Sequence, residues 1–185
     1  MKIEYYIETT LLKFLKTKTI DSIRVIDLID EIGICKGTFY KYYQDKYHLL
    51  ICSFQNHFYN GILNGAENWE SFLSRSMNSF KNSPSIILNA FESQDINSLR
   101  SYHEQLMRKY FSAGEGAEEN AYYTYSADVF THFVTDVLMR WLKNKCVETN
   151  EELLRKIKAI MPVTLFAGLY GPFGEKNGNK KQLAN

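Results

Sequence analysis

The 185-residue sequence predicts an all-α protein, with an N-terminal three-helix helix-turn-helix head followed by a C-terminal helical bundle. Three observations predict it. Apolar residues recur every three to four positions through most of the chain, which is the period of an amphipathic helix. Starting and stopping residues sit at the ends of those stretches: Asp45, Pro84 and Thr149 at starts, Gly33 and Pro162 at stops. No pair of alternating stretches is joined by a hairpin turn, and no internal repeat occurs.

The first helix is expected over Ile3 to Leu15, with Ile3, Ile7, Leu11, Phe14 and Leu15 on one face and Lys13, Lys16 and Lys18 toward its C-terminal end. Cations there suit the helix dipole and can also meet phosphate. A second helix spans about Val25 to Ile32, with Val25, Leu28, Ile29 and Ile32 in line. Gly33 supplies the positive φ of a helix C-cap and tight turn. A third, short helix starts near Cys35 or Lys36 and ends near Tyr43, held against the second by Phe39, Tyr40 and Tyr43. Two short helices around a glycine turn make a helix-turn-helix. Lys36, Thr38, Lys41 and Tyr42 are the residues this geometry presents to a major groove, and Lys46 opens the next helix where an ammonium can meet a phosphate.

The stretch GICKGTFYKYYQDKYHLL resembles the recognition-helix signature of TetR-type transcriptional regulators, through Gly33, Thr38, the Phe39-Tyr40 pair, Tyr43 and Lys46. The resemblance covers about residues 3–50. It implies that Tyr40 gives its hydroxyl to a phosphate and that Lys41 and Tyr42 vary with the operator. Three positions depart from the pattern. Arg24 stands where Ser or Thr caps the second helix, Ile26 where a basic residue is frequent, and Cys35 where Ser is common. Arg24 is therefore added to the DNA-contacting set as a substitute phosphate contact.

A fourth helix is expected from Asp45 to about Asn60, linking head to body, with Asn60-Gly61 and Asn64-Gly65 as turns. Helices follow at Trp69 to Phe80, from Pro84 through Phe91, and at Leu99 to Phe111, with a glycine-containing acidic loop at 113–119. From Ala121 to Lys143, paired apolar residues every four positions mark one long helix with a wide stripe. Thr149 and Glu152 form a capping box for a last helix, which Pro162 kinks or ends, with VTLFAGLY able to resume as helix beyond it. These two helices carry more apolar surface than one protomer covers, so a two-fold dimer is expected. The TetR resemblance implies the same interface, assigned to Phe130, Phe133, Val134, Val137, Leu138, Trp141, Ile157, Ile160 and Met161. The segment FVTDVLMRWLKNKCVETNEELL further resembles the subgroup of dihydroxyacetone kinase operon regulators. The domain division expected is a DNA-binding head at 1–47, a ligand- or partner-binding and dimerisation body at 48–175, and a disordered tail at 176–185.

Composition narrows the function. Net charge is +1, so DNA binding must rest on local placement of charge. Three scattered cysteines without a CxxC fit a reduced compartment, and no stretch is long and apolar enough to span a bilayer, so a cytoplasmic protein is expected. No nucleophile elbow, phosphate loop or HExxH occurs, so no catalytic residue and no cofactor are expected. His48 and Cys52, at i and i+4, lack a third ligand, and no metal is expected. Trp69, Phe72, Phe91, Tyr102, Tyr110, Tyr122, Tyr123 and Tyr125 either wall an effector pocket or form core. The partners implied are double-stranded operator DNA, a second copy of the chain, and an unidentified small-molecule or protein effector. A helical protein-interaction module without DNA binding is the alternative.

Overall fold

The computed structural model describes residues 2–93, 95–111 and 121–170; the loop expected at 113–119 and the tail expected at 176–185 lie outside them. Eleven α-helices are present among the described residues: α1 (Ile3–Phe14), α2 (Val25–Ile32), α3 (Lys36–Tyr42), α4 (Lys46–Phe54), α5 (Asn60–Leu63), α6 (Trp69–Phe80), α7 (Pro84–Phe91), α8 (Leu99–Phe111), α9 (Ala121–Lys143), α10 (Asn150–Ala159) and α11 (Val163–Tyr170). A 3-10 turn, Ile20–Ser22, joins α1 to α2, and a π turn, Gln55–Tyr59, joins α4 to α5.

The head forms because each helix buries one face against the next. Ile7 and Leu11 of α1 and its C-cap Leu15 meet Ile20, Ile23, Leu28, Phe39, Leu49 and Leu50 in one core. Gly33 has φ of +75° and its amide donates to Ile29 O at 2.9 Å, closing α2. A Cβ at Gly33 meets nothing within 4 Å. The cost of Gly33→Ala is therefore purely conformational, about 1 kcal/mol. The expected result is a lower denaturation midpoint with unchanged m-value; a midpoint equal to wild type would show that the turn relaxes.

The helix from α4 through α5 runs past the expected end at Asn60. Asn60 and Gly61 lie inside it, and the chain turns only at Asn64-Gly65, where Gly65 has φ of +115°. Asp45 caps it, accepting from Tyr47 N and His48 N at 2.8 Å each. In the body, α8 packs along α9 while α6 meets α8 and α10.

The last helix is two helices. Pro162 separates α10 from α11, which turns to pack on α9. Gly168 permits that approach: a Cβ there would sit 2.3 Å from the Tyr123 ring. The end of α11 is tied to α6, where Trp69 Nε1 donates to Tyr170 OH at 2.9 Å and Tyr170 OH donates to Glu70. Lys158 lies 3.0 Å from the same carboxylate.

Most of the residues expected at the dimer face are closed within one protomer. Phe130, Val134, Leu138, Trp141, Ile157 and Met161 are all buried in the protomer's own core. A stripe on α9 indicates burial, and α8, α7 and α11 supply it within the same chain. Of the nine expected residues, only Phe133 and Ile160 are exposed, with Val137 half-buried. The outward face of α9 instead carries Tyr122, Tyr125, Val129 and Phe133, at 80%, 71%, 48% and 37% exposure. Tyr122 and Tyr125 are thus surface residues, not pocket walls.

Candidate nucleic-acid interface

The helix-turn-helix positions its surface by burying the opposite side. Phe39 and Tyr43 are in the core, so Lys36, Tyr40 and Lys41 of α3 point to solvent. The Tyr40 ring is 47% exposed, set edge-on against Phe39 at 5.3 Å between centroids. Lys36 Nζ lies 5.8 Å from the Tyr40 ring centroid and Lys41 Nζ 5.7 Å from that of Tyr42. Neither ammonium has a carboxylate partner among the described ion pairs. Two such cations flank an exposed phenol, an arrangement suited to a polyanion.

Thr38 is half-buried, with Oγ1 3.2 Å from Cys35 Sγ. Cys35 is the N-cap of α3, and its thiol is held below the usual range by the Thr38 hydroxyl and then by the backbone amides of the first turn.

Two expected contacts stand differently in the structure. Arg24 does sit at the N-cap of α2, but Asp27 supplies the capping acceptor. The Asp27 carboxylate accepts from Arg24 N at 3.3 Å and from its guanidinium at 2.6 and 3.1 Å. The pairing lowers the Asp27 carboxyl below its usual range, chiefly through the Arg24 hydrogen bond. The guanidinium is still exposed, with its charge shared. Lys46 Nζ donates to three backbone carbonyls, Ile20 at 3.0 Å, Asp21 at 2.9 Å and Ile23 at 3.1 Å. Those carbonyls belong to the 3-10 turn before α2 and its C-cap Ile23, so Lys46 fastens the α1–α2 connection to the start of α4. Ile26, in the place of a frequent basic residue, is 47% exposed on α2.

Residues that their sequence pattern did not single out join head to body. Glu8 of α1 is 5% exposed and accepts from Tyr43 OH at 3.1 Å and Asn56 Nδ2 at 2.9 Å. The signal was available: Glu8 lies three and seven positions before Leu11 and Leu15, on the apolar stripe of α1. Burial and the neighbouring carboxylate hold the Tyr43 phenol far above its usual range, so it stays a donor.

Comparisons with known proteins concern the body and the overall fold. A family model described as "Transcriptional regulator C-terminal region", TetR_C_8, matches residues 67–162, just over half of the chain. The chain belongs to the TetR family of transcriptional regulators. Two solved structures share the fold across nearly their full length. A TetR transcriptional regulator from Rhodococcus sp. RHA1 is 11% identical with a TM-score of 0.57, covering 89% of this chain and 97% of its own. The dihydroxyacetone kinase operon activator DhaS is 14% identical with a TM-score of 0.56, covering 85% and 95%. No curated relative matches by sequence.

In the TetR-type body, the central aromatics interlock. His103 is fully buried, with ring centroids of Phe72, Phe91, Phe80 and Tyr59 at 5.4, 5.5, 5.8 and 5.9 Å. Burial, with Arg100 adding to it, drives the His103 imidazole down to about 3. The folded state therefore keeps it neutral while the unfolded chain protonates it near pH 6.5. Below pH 6.5 the unfolded state binds the extra proton, so this contribution is full above pH 6.5 and is lost as pH falls toward 3. The expected slope is up to about 1.4 kcal/mol per pH unit. Urea unfolding between pH 6.5 and 5 checks it: wild type should lose stability across that window more steeply than His103→Gln. Parallel curves would show that His103 does not titrate with folding.

Among the described residues, no group of three His, Cys, Asp or Glu side chains is placed to hold a metal, and no helix is long and apolar enough to cross a membrane. His48, considered with Cys52 as a ligand pair, instead accepts from Gln44 N through Nδ1 at 3.1 Å.

Proposed function

We propose that this regulator is a homodimeric repressor that reads operator DNA through α3 and is released or engaged by an effector acting on the body. The observation that carries the reading is the surface of α3: Lys36, Tyr40 and Lys41 exposed on a helix whose other side is locked by Phe39 and Tyr43. Lys36 and Lys41 take phosphate or a guanine edge, Tyr40 a phosphate, and Thr38 and Tyr42 lie at the margin of the contact. Arg24 adds a partly neutralised cation beside them. Lys46 serves the head from inside, by holding the turn that sets α2. The outward face of α9 is the dimer surface, and two copies joined there present two α3 helices to successive major-groove faces about 34 Å apart.

The effector is read here as a protein. Tyr59, Phe72, Phe80, Phe91 and His103 fill the centre of the body with one another's rings, which favours a partner docking on its outside. Regulation is then a population shift between head spacings that fit and do not fit the operator.

The test is selection from a random-sequence duplex pool, followed by binding titrations against salt. A selected consensus with two half-sites one turn apart and a steep salt slope is expected. A pool that stays random at low salt would overturn DNA recognition by this chain.

A further inference from the structure

The connecting helix is irregular where it passes between head and body. Its segment Gln55–Tyr59 is a single π turn. A π turn holds one more residue than α geometry allows and re-aims the side chains around it. Four of these five side chains make polar contacts, two toward each part of the molecule. Toward the body, Gln55 Nε2 donates to Tyr102 OH at 2.8 Å, and the Tyr59 hydroxyl pairs with His103 Nδ1 at 3.0 Å. Toward the head, Asn56 Nδ2 donates to Glu8 Oε1 at 2.9 Å, and His57 Nε2 lies 3.2 Å from Glu8 Oε2. Tyr43, the residue that ends α3, donates to that same Glu8 Oε1. One buried carboxylate thus holds both the end of the recognition helix and the π turn, and the π turn holds two consecutive residues of α8.

Packing alone does not account for this set. A buried carboxylate is costly unless its oxygens are satisfied, and an apolar group would fill the position at less cost. His103 adds a second unexplained expense, because its Nε2 has no hydrogen-bond partner among the described residues. The polar groups are arranged along one line from α8 to α3. We propose that Glu8 is a positioning residue for the recognition helix, and that the π turn is the element through which the state of α8 reaches it. The proposal rests on the reading of α3 as the DNA-contacting helix. Loss of the extra residue from the turn would rotate α5 relative to α4 by roughly 100°. The contacts to Glu8 and those to α8 then cannot both persist, so the junction has two discrete arrangements of the kind that transmits coupling.

A double-mutant cycle on the full chain tests it, using the DNA obtained by selection. Tyr59→Phe removes one of the two body-side contacts, that to His103, and leaves the Gln55–Tyr102 bond in place. Glu8→Gln alters the head side; if that variant does not fold, Asn56→Ala, an exposed residue, replaces it. Operator affinity, its salt slope and the thermal midpoint are read for each. Tyr59→Phe is expected to change affinity by about fivefold or more with an unchanged salt slope, because no phosphate contact is altered. Its effect and that of the head-side variant are expected to be non-additive. Effects that multiply to within about twofold of the double variant, or an unchanged affinity in Tyr59→Phe, overturn the relay. If wild type selects no DNA, the parent reading falls, and amide hydrogen exchange then judges the junction alone. Faster exchange of residues 36–43 in Tyr59→Phe supports the relay; changes confined to α8 refute it.

Discussion

Lys36→Ala combined with Lys41→Ala is expected to weaken operator binding about 100-fold near 0.1 M salt, and to reduce the log–log salt slope by about 2 per protomer. The size follows from where the charge of this protein sits. The chain has net charge +1, so no broad basic field compensates for a lost local cation. Both ammoniums are exposed and lie over aromatic faces within the chain, so their removal should leave the unfolding midpoint almost unchanged. Lys46→Ala makes the contrasting case. It removes three charge-assisted hydrogen bonds that fasten the turn before α2. About 2 kcal/mol of stability should be lost, with the salt slope kept. If Lys46→Ala lowers the slope while the Lys36, Lys41 pair does not, the assignment of roles is reversed and α3 is not the phosphate-contacting surface.

Val129→Glu combined with Phe133→Glu is expected to raise the dimer dissociation constant about 1,000-fold, since each charge would be buried without a partner in the interface. Both residues lie on the outward face of α9, next to a row of polar contacts to α8: Arg100–Asp136 at 2.8 Å, Glu104–His132 at 2.8 Å and Arg108–Asp128 at 2.7 Å. That row keeps α9 attached to its own protomer, so the variant should run as a folded monomer in sedimentation velocity. Leu138→Ala, one turn further along but fully buried, should cost about 3 kcal/mol of protomer stability and leave the folded fraction dimeric. A wild type that sediments as a monomer at tens of micromolar would remove the dimer from the proposal. A doubly charged variant that stays dimeric would move the interface elsewhere.

These two experiments mark the boundary between local and tertiary information. The bounds of α2, α6, α7, α8 and α9 were legible because the signals that set them are local: a period of 3.6, a glycine at positive φ, a proline in a first turn. The Thr149–Glu152 capping box was legible for the same reason, and both of its hydrogen bonds form, at 3.2 and 2.9 Å. The exposed side of α3 was legible only in part: Lys36 and Lys41 face outward as expected, whereas Tyr40, expected to pack against α2, is exposed, and Thr38 and Tyr42 are half-buried.

What periodicity lacks is the identity of the surface that covers a stripe. Phe130, Val134, Leu138 and Trp141 read as partner-facing because nothing in the sequence says that α11 folds back at Pro162 and that Gly168 lets it lie on Tyr123. The hydrogen bonds of Lys46 to the Ile20, Asp21 and Ile23 carbonyls were not legible, because those groups are more than twenty residues away and are backbone atoms, which leave no trace in side-chain identity. The π turn at Gln55–Tyr59 was invisible for a similar reason. Its residues suit an α-helix equally well, and the groups they meet, Glu8 on one side and Tyr102 and His103 on the other, come from distant parts of the chain. The sequence by itself thus determined most of the helices, the caps at Gly33, Asp45 and Thr149, and the outward placement of Lys36 and Lys41, all set within a few residues. The tertiary structure alone decided which apolar faces are closed, where a buried carboxylate finds its donors and how the head is joined to the body, because each depends on groups that meet only when distant segments pack.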